Sequence, residues 1–369
     1  MNRRLFLHNG FFGACFFSLP GIINPESSLN FRLREAFCDA RFIKRTRQGF
    51  QCELCPNECA ITESKPGSCQ TRVVRNNNVV CIAYGNPYYV NIETPESQSL
   101  YHYMPETRAL SVGTAGCNFT CQYCAVSSIS QKSPMVVPSQ ELFPDQVVEL
   151  CSGKHVKMVI YTFNEPTVYF EYMLEMAKVA KMNGIKNVMV SNGYINEKPL
   201  RELAPFLDAA VIHVKAFSDA SYQKLTGGSI FSVFKTMQIL KELNIWMEIN
   251  HLLVPGWTDN FELLKKMTDW MVNNGFEHTP MHFSKFKPAF RLSQLPETTE
   301  TSLLKAKEIA LNSGLKYVYL NDQPKGASQF VNCPGCHQPL MQRNGGKIEA
   351  NQIKSGKCSF CGHKIDGVW

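Results

Sequence analysis

The sequence predicts an α/β protein, a partial (β/α)6 TIM-like barrel carrying small Cys-rich metal-binding modules at both ends. Three observations lead there. From Leu110 onward, β-like runs alternate with stretches of helical spacing, which means a parallel sheet with right-handed crossovers. On either side of that stretch the texture turns Cys-, Gly- and turn-rich. Of the fifteen Cys in 369 residues, eleven fall into three tight groups, leaving Cys15, Cys38, Cys81 and Cys151 scattered.

Composition sets the bounds. With 44% hydrophobic and 19% charged residues the chain is a foldable globular protein. A net charge of +7 allows contact with anionic cofactors and does not point to specific nucleic acid. Disulfide frameworks belong to short secreted chains, whereas C-x2-C pairs in a large enzyme point to metal. The cysteines therefore read as thiolate ligands.

Taken in order, residues 1–30 begin MNRRLFLHNG, with Arg3 and Arg4 ahead of a short apolar run. This resembles a twin-arginine export signal, and the run is too short to span a membrane. The bland alternative is a start that happens to be basic and apolar. Residues 50–108 read as a Cys-rich module. Cys52, Cys55, Cys59 and Cys69 give C-x2-C-x3-C-x9-C, enough for zinc or an auxiliary iron–sulfur cluster, with a slight lean to zinc and Cys81 as a substitute ligand. LYHYMP (100–105) reads as packing at the junction.

The barrel is expected over 109–325. Strands are predicted at 110–116, 157–163, 186–192, 209–217, 246–255, 281–286 and 316–321, and a helix over 167–184 ends at Gly184. Six or seven such units suit a complete or partial barrel better than a two-layer sheet. Barrel chemistry sits in loops at the C-terminal strand ends. Asn164, Glu165 and Pro166, then Ser191, Asn192 and Gly193, then Lys215, Lys285 and Lys287 all fall there. Period-2 alternation puts His213 and Lys215 on one face. Glu165 and Lys215 are expected at the mouth, outside the core; His251 and His282 read as satisfied strand histidines.

Residues 331–369 form the second module. Cys333, Cys336, Cys358 and Cys361 give C-x2-C-x21-C-x2-C with Gly beside each pair, a zinc-ribbon signal. Two disulfides, or a rubredoxin-like iron, are the alternatives.

The third group lies directly after the first barrel strand. In GTAGCNFTCQYC, Cys117, Cys121 and Cys124 can wrap one face of a 4Fe–4S cluster, leaving the fourth iron without a protein ligand. The alternative is a three-Cys zinc loop completed from afar. This C-x3-C-x2-C, with Tyr123 before its last Cys, resembles the radical S-adenosylmethionine superfamily, whose barrel is of the same partial type. The resemblance implies that the open iron chelates S-adenosylmethionine and that a 5′-deoxyadenosyl radical abstracts hydrogen from the substrate. It also implies that Asn164 and Glu165 meet the cofactor, Glu165 taking its amino group. Ser191 and Asn192 would be its ribose and carboxylate contacts, and Lys215 a partner of the carboxylate. Where activases of glycyl radical enzymes commonly carry Asp, this chain has His213.

The chain is more closely similar to the radical enzyme of the AmmeMemoRadiSam system. CELCPNEC, LYHYMPETRALSVGTAGCNFTCQYC, YTFNEPT, VSNGY, KAFSDASYQKLTGG, LLVPGWTDN, HFSKFKP and the closing CPGC…GKCSFCGHKIDGVW carry the likeness, from Cys52 to Trp369. The family tends to read Gln-Asn-Trp where this chain has Ala125-Val126-Ser127. The expected function is a radical enzyme modifying an unknown protein or small-molecule substrate, served by a low-potential electron donor and by partner proteins of that system. A glycyl-radical-enzyme activase and a non-catalytic metal-stapled binding protein are the competing readings. Chemistry argues for the cytoplasm, the N-terminus for export.

Overall fold

A computed structural model describes residues 36–321, 329–344 and 347–369. The twin-arginine-like segment lies outside the described residues, as does Cys15. No helix among the described residues is long and apolar enough to cross a membrane.

All seven predicted barrel strands are present: β1 (Ala109–Gly113), β2 (Met158–Tyr161), β3 (Lys186–Ser191), β4 (Ala209–Val214), β5 (Trp246–Leu253), β6 (Met281–Lys285) and β7 (Val318–Leu320). They pair in chain order, every neighbour parallel. Six helical crossovers join them: α1 (Pro144–Gly153), α2 (Phe170–Met182), α3 (Glu197–Leu203), the pair α4 (Asp219–Thr226) and α5 (Ile230–Glu242), α6 (Phe261–Asn273) and α7 (Glu300–Asn312). The result is (β/α)6 plus a seventh strand. One further strand, Tyr89–Glu93, adds antiparallel to β1 from within the range read as the N-terminal module. The strand order is linear, with Tyr89–Glu93 at one end and β7 at the other. The barrel is open.

Period-2 alternation sorts each strand into two faces. Leu110, Val112, Val159, Tyr161, Met189 and Ile212 pack in one cluster with helix residues such as Met173, Leu200 and Met237. Their neighbours Ala109, Met158, Ile160, Val188, Val190 and Val211 form a second cluster on the concave side, completed by Leu100 and Tyr103. LYHYMP thus plugs the barrel's N-terminal end.

Charge holds the plug. Glu248 of β5 accepts backbone N–H bonds from Tyr101 (3.0 Å) and His102 (2.7 Å), and pairs with His282 Nε2 at 2.7 Å. His102 is fully buried; Nδ1–H donates to the Asp366 carbonyl (2.7 Å) and Nε2 accepts from the Tyr319 hydroxyl (2.6 Å). Arg343 donates to the Tyr101 carbonyl (2.7 Å), and Val368 and Met104 exchange backbone bonds with this segment and the tail. The C-terminal strands therefore dock against the plug itself.

Burial, the larger cause, lowers His102 to about 4 although Glu248 opposes the change. A His depressed in the folded state is protonated first in the unfolded chain, so its contribution is complete above pH 6.5 and declines as pH falls toward 4. Summed over that window the loss amounts to about 3 kcal/mol. Urea melts of the metal-loaded protein between pH 7.5 and 5 should show stability falling with pH. His102→Asn, which can keep the Asp366 bond, should flatten that slope; equal slopes would refute the assignment.

Ahead of the barrel, Ile43–Thr46, Gly49–Cys52 and Ala60–Ile61 make one three-stranded sheet, and Cys38–Asp39, Asn78–Cys81 and Arg72–Arg75 another. Cys81 lies directly opposite Cys38 across an antiparallel pair.

Candidate metal and cofactor site

The loop leaving β1 carries Cys117, Cys121 and Cys124, and backbone bonds hold it on both sides. Thr120 and Gln122 N–H groups donate to the Thr226 and Leu225 carbonyls (both 2.8 Å), which also satisfies the end of α4. Phe119 is buried between Tyr194 and Tyr222, ring centroids 4.8 and 5.9 Å away. Gly116, at φ +95°, permits the turn; a Cβ there would lie 2.5 Å from the Cys69 carbonyl oxygen.

Asn118 joins this loop to the ends of β3 and β2. Its Nδ2 donates to the Tyr194 carbonyl (2.7 Å), and its Oδ1 accepts from Asn192 Nδ2 (2.8 Å). Asn192 N–H in turn donates to Glu165 Oε2 at 2.8 Å. Glu165 Oε1 accepts from Ser191 Oγ (2.8 Å), Thr167 N–H (3.0 Å) and Thr167 Oγ1 (2.6 Å). Three strand ends are thereby tied into one network.

Glu165 departs from the sequence expectation. It is fully buried rather than outside the core, because its carboxylate is the hub of that network. Burial raises its pKa, against the opposing effect of the four donors from Thr167, Asn192 and Ser191. In Glu165→Gln the amide would turn donors against donors. A buried charged hub loses about 1.5–3 kcal/mol when broken in this way. Thermal melting checks this: an unchanged midpoint would mean that the network contributes nothing.

Just before this hub, Phe163 sits at φ +76°, a strained conformation for a non-glycine residue. Its ring stacks on Tyr89 at 4.4 Å. Asn164 Nδ2 donates to the Thr114 carbonyl (2.7 Å), while its Oδ1 and the Tyr123 hydroxyl are buried without a partner among the described residues. Lys215 and His213 are half-buried, and among the described residues neither side chain has a hydrogen-bonding or ionic partner. Burial pushes His213 well below the usual imidazole range, with Lys215 and His282 adding to the effect, so it is neutral. It cannot supply the negative charge of the Asp it replaces. Lys285, by contrast, pairs with Glu297 at 2.5 Å.

Burial also pushes the Cys117 thiol well above its ordinary value and Cys121 up to about 11, Lys215 opposing the latter. Thiolates here need a cationic centre to balance them, as an iron–sulfur core would. Phe119 N–H donates to Cys117 Sγ (3.4 Å), and Ser130 Oγ lies 3.2 Å from Cys124 Sγ. With an unpaired cation and two orphaned polar atoms at the same mouth, the residues fit a cluster carrying a hydrogen-bonding cofactor that bears a carboxylate.

Sequence reasoning missed a polar layer deeper in the barrel. Asn250 and Asn321 each donate to Ser99 and Ser284 at 2.8–3.0 Å, and Thr162 donates to Gln98 at 2.7 Å. Small polar residues on the inward phase of β5 and β6 are the signal that was available.

At the tail, the four sulfurs of Cys333, Cys336, Cys358 and Cys361 all lie within 4.8 Å of one another. Cys333–Cys361 stand 3.6 Å apart and Cys336–Cys358 3.7 Å. A tetrahedral ion with bonds of about 2.3 Å spaces its sulfurs about 3.8 Å apart. The four can hold one metal ion.

The family model described as the radical SAM superfamily matches residues 111–267. An uncharacterized protein of Methanocaldococcus jannaschii is 34% identical over 320 residues, 86% of this chain and 95% of that protein. A protein of the same organism named as a glycyl-radical enzyme activating enzyme is 26% identical over 204 residues, 54% of this chain and 75% of its own length. Among solved structures, Streptococcus suis SuiB bound to S-adenosylmethionine aligns with TM-score 0.47 and 12% identity, over 63% of this chain and 53% of that one.

Proposed function

The chain belongs to the radical SAM superfamily and is an S-adenosylmethionine-dependent enzyme; from that premise we propose that it directs a radical to a protein or peptide side chain. In our reading Cys117, Cys121 and Cys124 hold a 4Fe–4S cluster, which with bound S-adenosylmethionine supplies a 5′-deoxyadenosyl radical by reductive cleavage. The observation that carries this is the shared network. The three-Cys loop, Glu165, Ser191 and Asn192 are bonded into one unit, and Lys215 stands unpaired beside it.

Within that unit Lys215 would meet the cofactor's carboxylate. Glu165 Oε1 already takes three donors and Oε2 one, so Oε2 keeps an acceptor site for the ammonium. Asn164 Oδ1 and the Tyr123 hydroxyl, both orphaned, would bond the adenosine portion together with Ser191 and Asn192. Neutral His213 would line the substrate side rather than bind the ammonium. Relatives named as activating enzymes support a protein substrate; partners of the AmmeMemoRadiSam system and a low-potential electron donor would serve the reaction. At the tail, Cys333, Cys336, Cys358 and Cys361 would hold zinc as a structural staple.

Lys215→Met tests the reading. It keeps the stem and removes the cation, so S-adenosylmethionine affinity should fall about tenfold or more, a charge-assisted contact being worth about 1.5–3 kcal/mol. The melting temperature should hardly move, since Lys215 has no partner to lose. Undiminished affinity by titration would place the cofactor elsewhere.

A further inference from the structure

Cys52, Cys55, Cys59 and Cys69 come together on one recess, which Arg72 and Asn118 also line. Cys81, weighed as a substitute ligand, is not on its wall; it pairs with Cys38. Sulfur spacing separates this set from the tail. Only the C-terminal four, among the described residues, draw together as a single-ion site does. Thiolates around one zinc stand about 3.8 Å apart, whereas those bound to the separate irons of a 4Fe–4S cubane stand farther apart. Neither the recess set nor Cys117, Cys121 and Cys124 gathers within the 4.8 Å that encloses the tail's four sulfurs.

A second observation concerns charge. Arg72 is 1% exposed and paired with Glu171 at 3.0 Å, yet its Nε has no partner among the described residues. It lines the recess together with Cys52 and Cys69. Four thiolates on a cubane carry net negative charge, and Arg72, although shared with Glu171, brings a buried guanidinium to the same wall. Thr71 Oγ1 at 3.1 Å from Cys69 Sγ, and Ser68 N–H at 3.4 Å from Cys59 Sγ, supply sulfur hydrogen bonds of the kind that tune cluster potentials.

The third observation is position. The Cys69 carbonyl abuts Gly116, the residue before Cys117. Asn57, between Cys55 and Cys59, donates to the carbonyl of Asn118, the residue after Cys117, at 2.8 Å. The two cysteine loops touch on both sides of Cys117.

We propose that Cys52, Cys55, Cys59 and Cys69 bind a second 4Fe–4S cluster, which relays electrons to the cluster on the Cys117 loop. A one-electron donor of the ferredoxin or flavodoxin class reduces it from the 2+ to the 1+ state. It returns to 2+ as the barrel cluster gains that electron, with no bond or proton changing. The relay role rests on the function proposed above; the site itself does not.

The test uses the full chain, reconstituted anaerobically with iron and sulfide. The wild type should hold about eight iron and eight sulfide, and replacing the four cysteines with Ser should leave about four of each. The C117A/C121A/C124A variant should also keep about four iron, with a reduced-cluster paramagnetic signal that S-adenosylmethionine no longer perturbs. That result separates failure here from failure of the barrel site. If the four-Ser chain does not fold, the wild type alone decides. About four iron with two zinc, or four iron with two disulfides in place of thiolates, overturns the second cluster. For the relay, the four-Ser variant should lose at least tenfold of the S-adenosylmethionine cleavage driven by reduced flavodoxin while keeping that driven by dithionite. Halved iron with undiminished flavodoxin-driven cleavage overturns the relay.

Discussion

Replacing Cys117, Cys121 and Cys124 together with Ala is expected to abolish cleavage of S-adenosylmethionine to 5′-deoxyadenosine. The effect should be complete rather than graded. All three sulfurs come from one loop, and no other Cys lies in the stretch between Cys124 and Cys151 to substitute for them. The fold should survive. The loop is held by the Thr120 and Gln122 backbone bonds to α4, by the buried Phe119 ring and by the Asn118–Asn192 bond, none of which involves sulfur. Removing three half-buried thiols from this loop should cost little stability. The readouts are product formation by chromatography, the reduced cluster's paramagnetic signal in the presence of S-adenosylmethionine, and a thermal melt. Product formation at the wild-type rate in the triple variant would mean that the chemistry does not depend on this loop.

The second large effect is expected at the tail. Stripping the metal from Cys333, Cys336, Cys358 and Cys361, or replacing all four with Ser, should unfold residues 331–369. A structural zinc contributes on the order of 10 kcal/mol to a small module, more than the short hairpins there can supply alone. The consequences should reach the barrel. Arg343 would leave the Tyr101 carbonyl and Glu96, and the Asp366 carbonyl would leave His102. The plug at the barrel's N-terminal end would then loosen, while the Cys117 loop at the opposite, C-terminal strand ends would keep its own bonds. Limited proteolysis should cut the tail first, and elemental analysis should find one zinc fewer. A tail that stays protease-resistant without metal would show that packing of Val331, Leu340, Met341 and Ile365 suffices.

How much of this was legible beforehand follows from what each feature depends on. The seven parallel strands could be read because both faces of a barrel strand are apolar, which leaves short continuous apolar runs between stretches of helical spacing. The three cysteine groups could be read because ligands sharing a loop sit within a few residues of one another. The parallel order then followed, since helical crossovers return each strand beside the last. Those features are local, and the sequence by itself determined them.

Tertiary structure decided the rest. Tyr89–Glu93 looked like part of a Cys-rich module, yet it completes the sheet because the edge of β1 was open to it. Glu165 looked like a mouth residue, and became a buried hub only because Ser191 and Asn192 come back 26 and 27 residues later to donate to it. Glu248 and His282, separated by 34 residues, enclose a plug drawn from Tyr101 and His102. The metal proposed for the first cysteine group likewise depends on distance. Spacing along the chain says how many sulfurs share a loop, but only the folded backbone sets how far apart they stand. Hydrogen bonds and metal ligation are short-ranged, so their partners are chosen by where the crossovers deliver the chain.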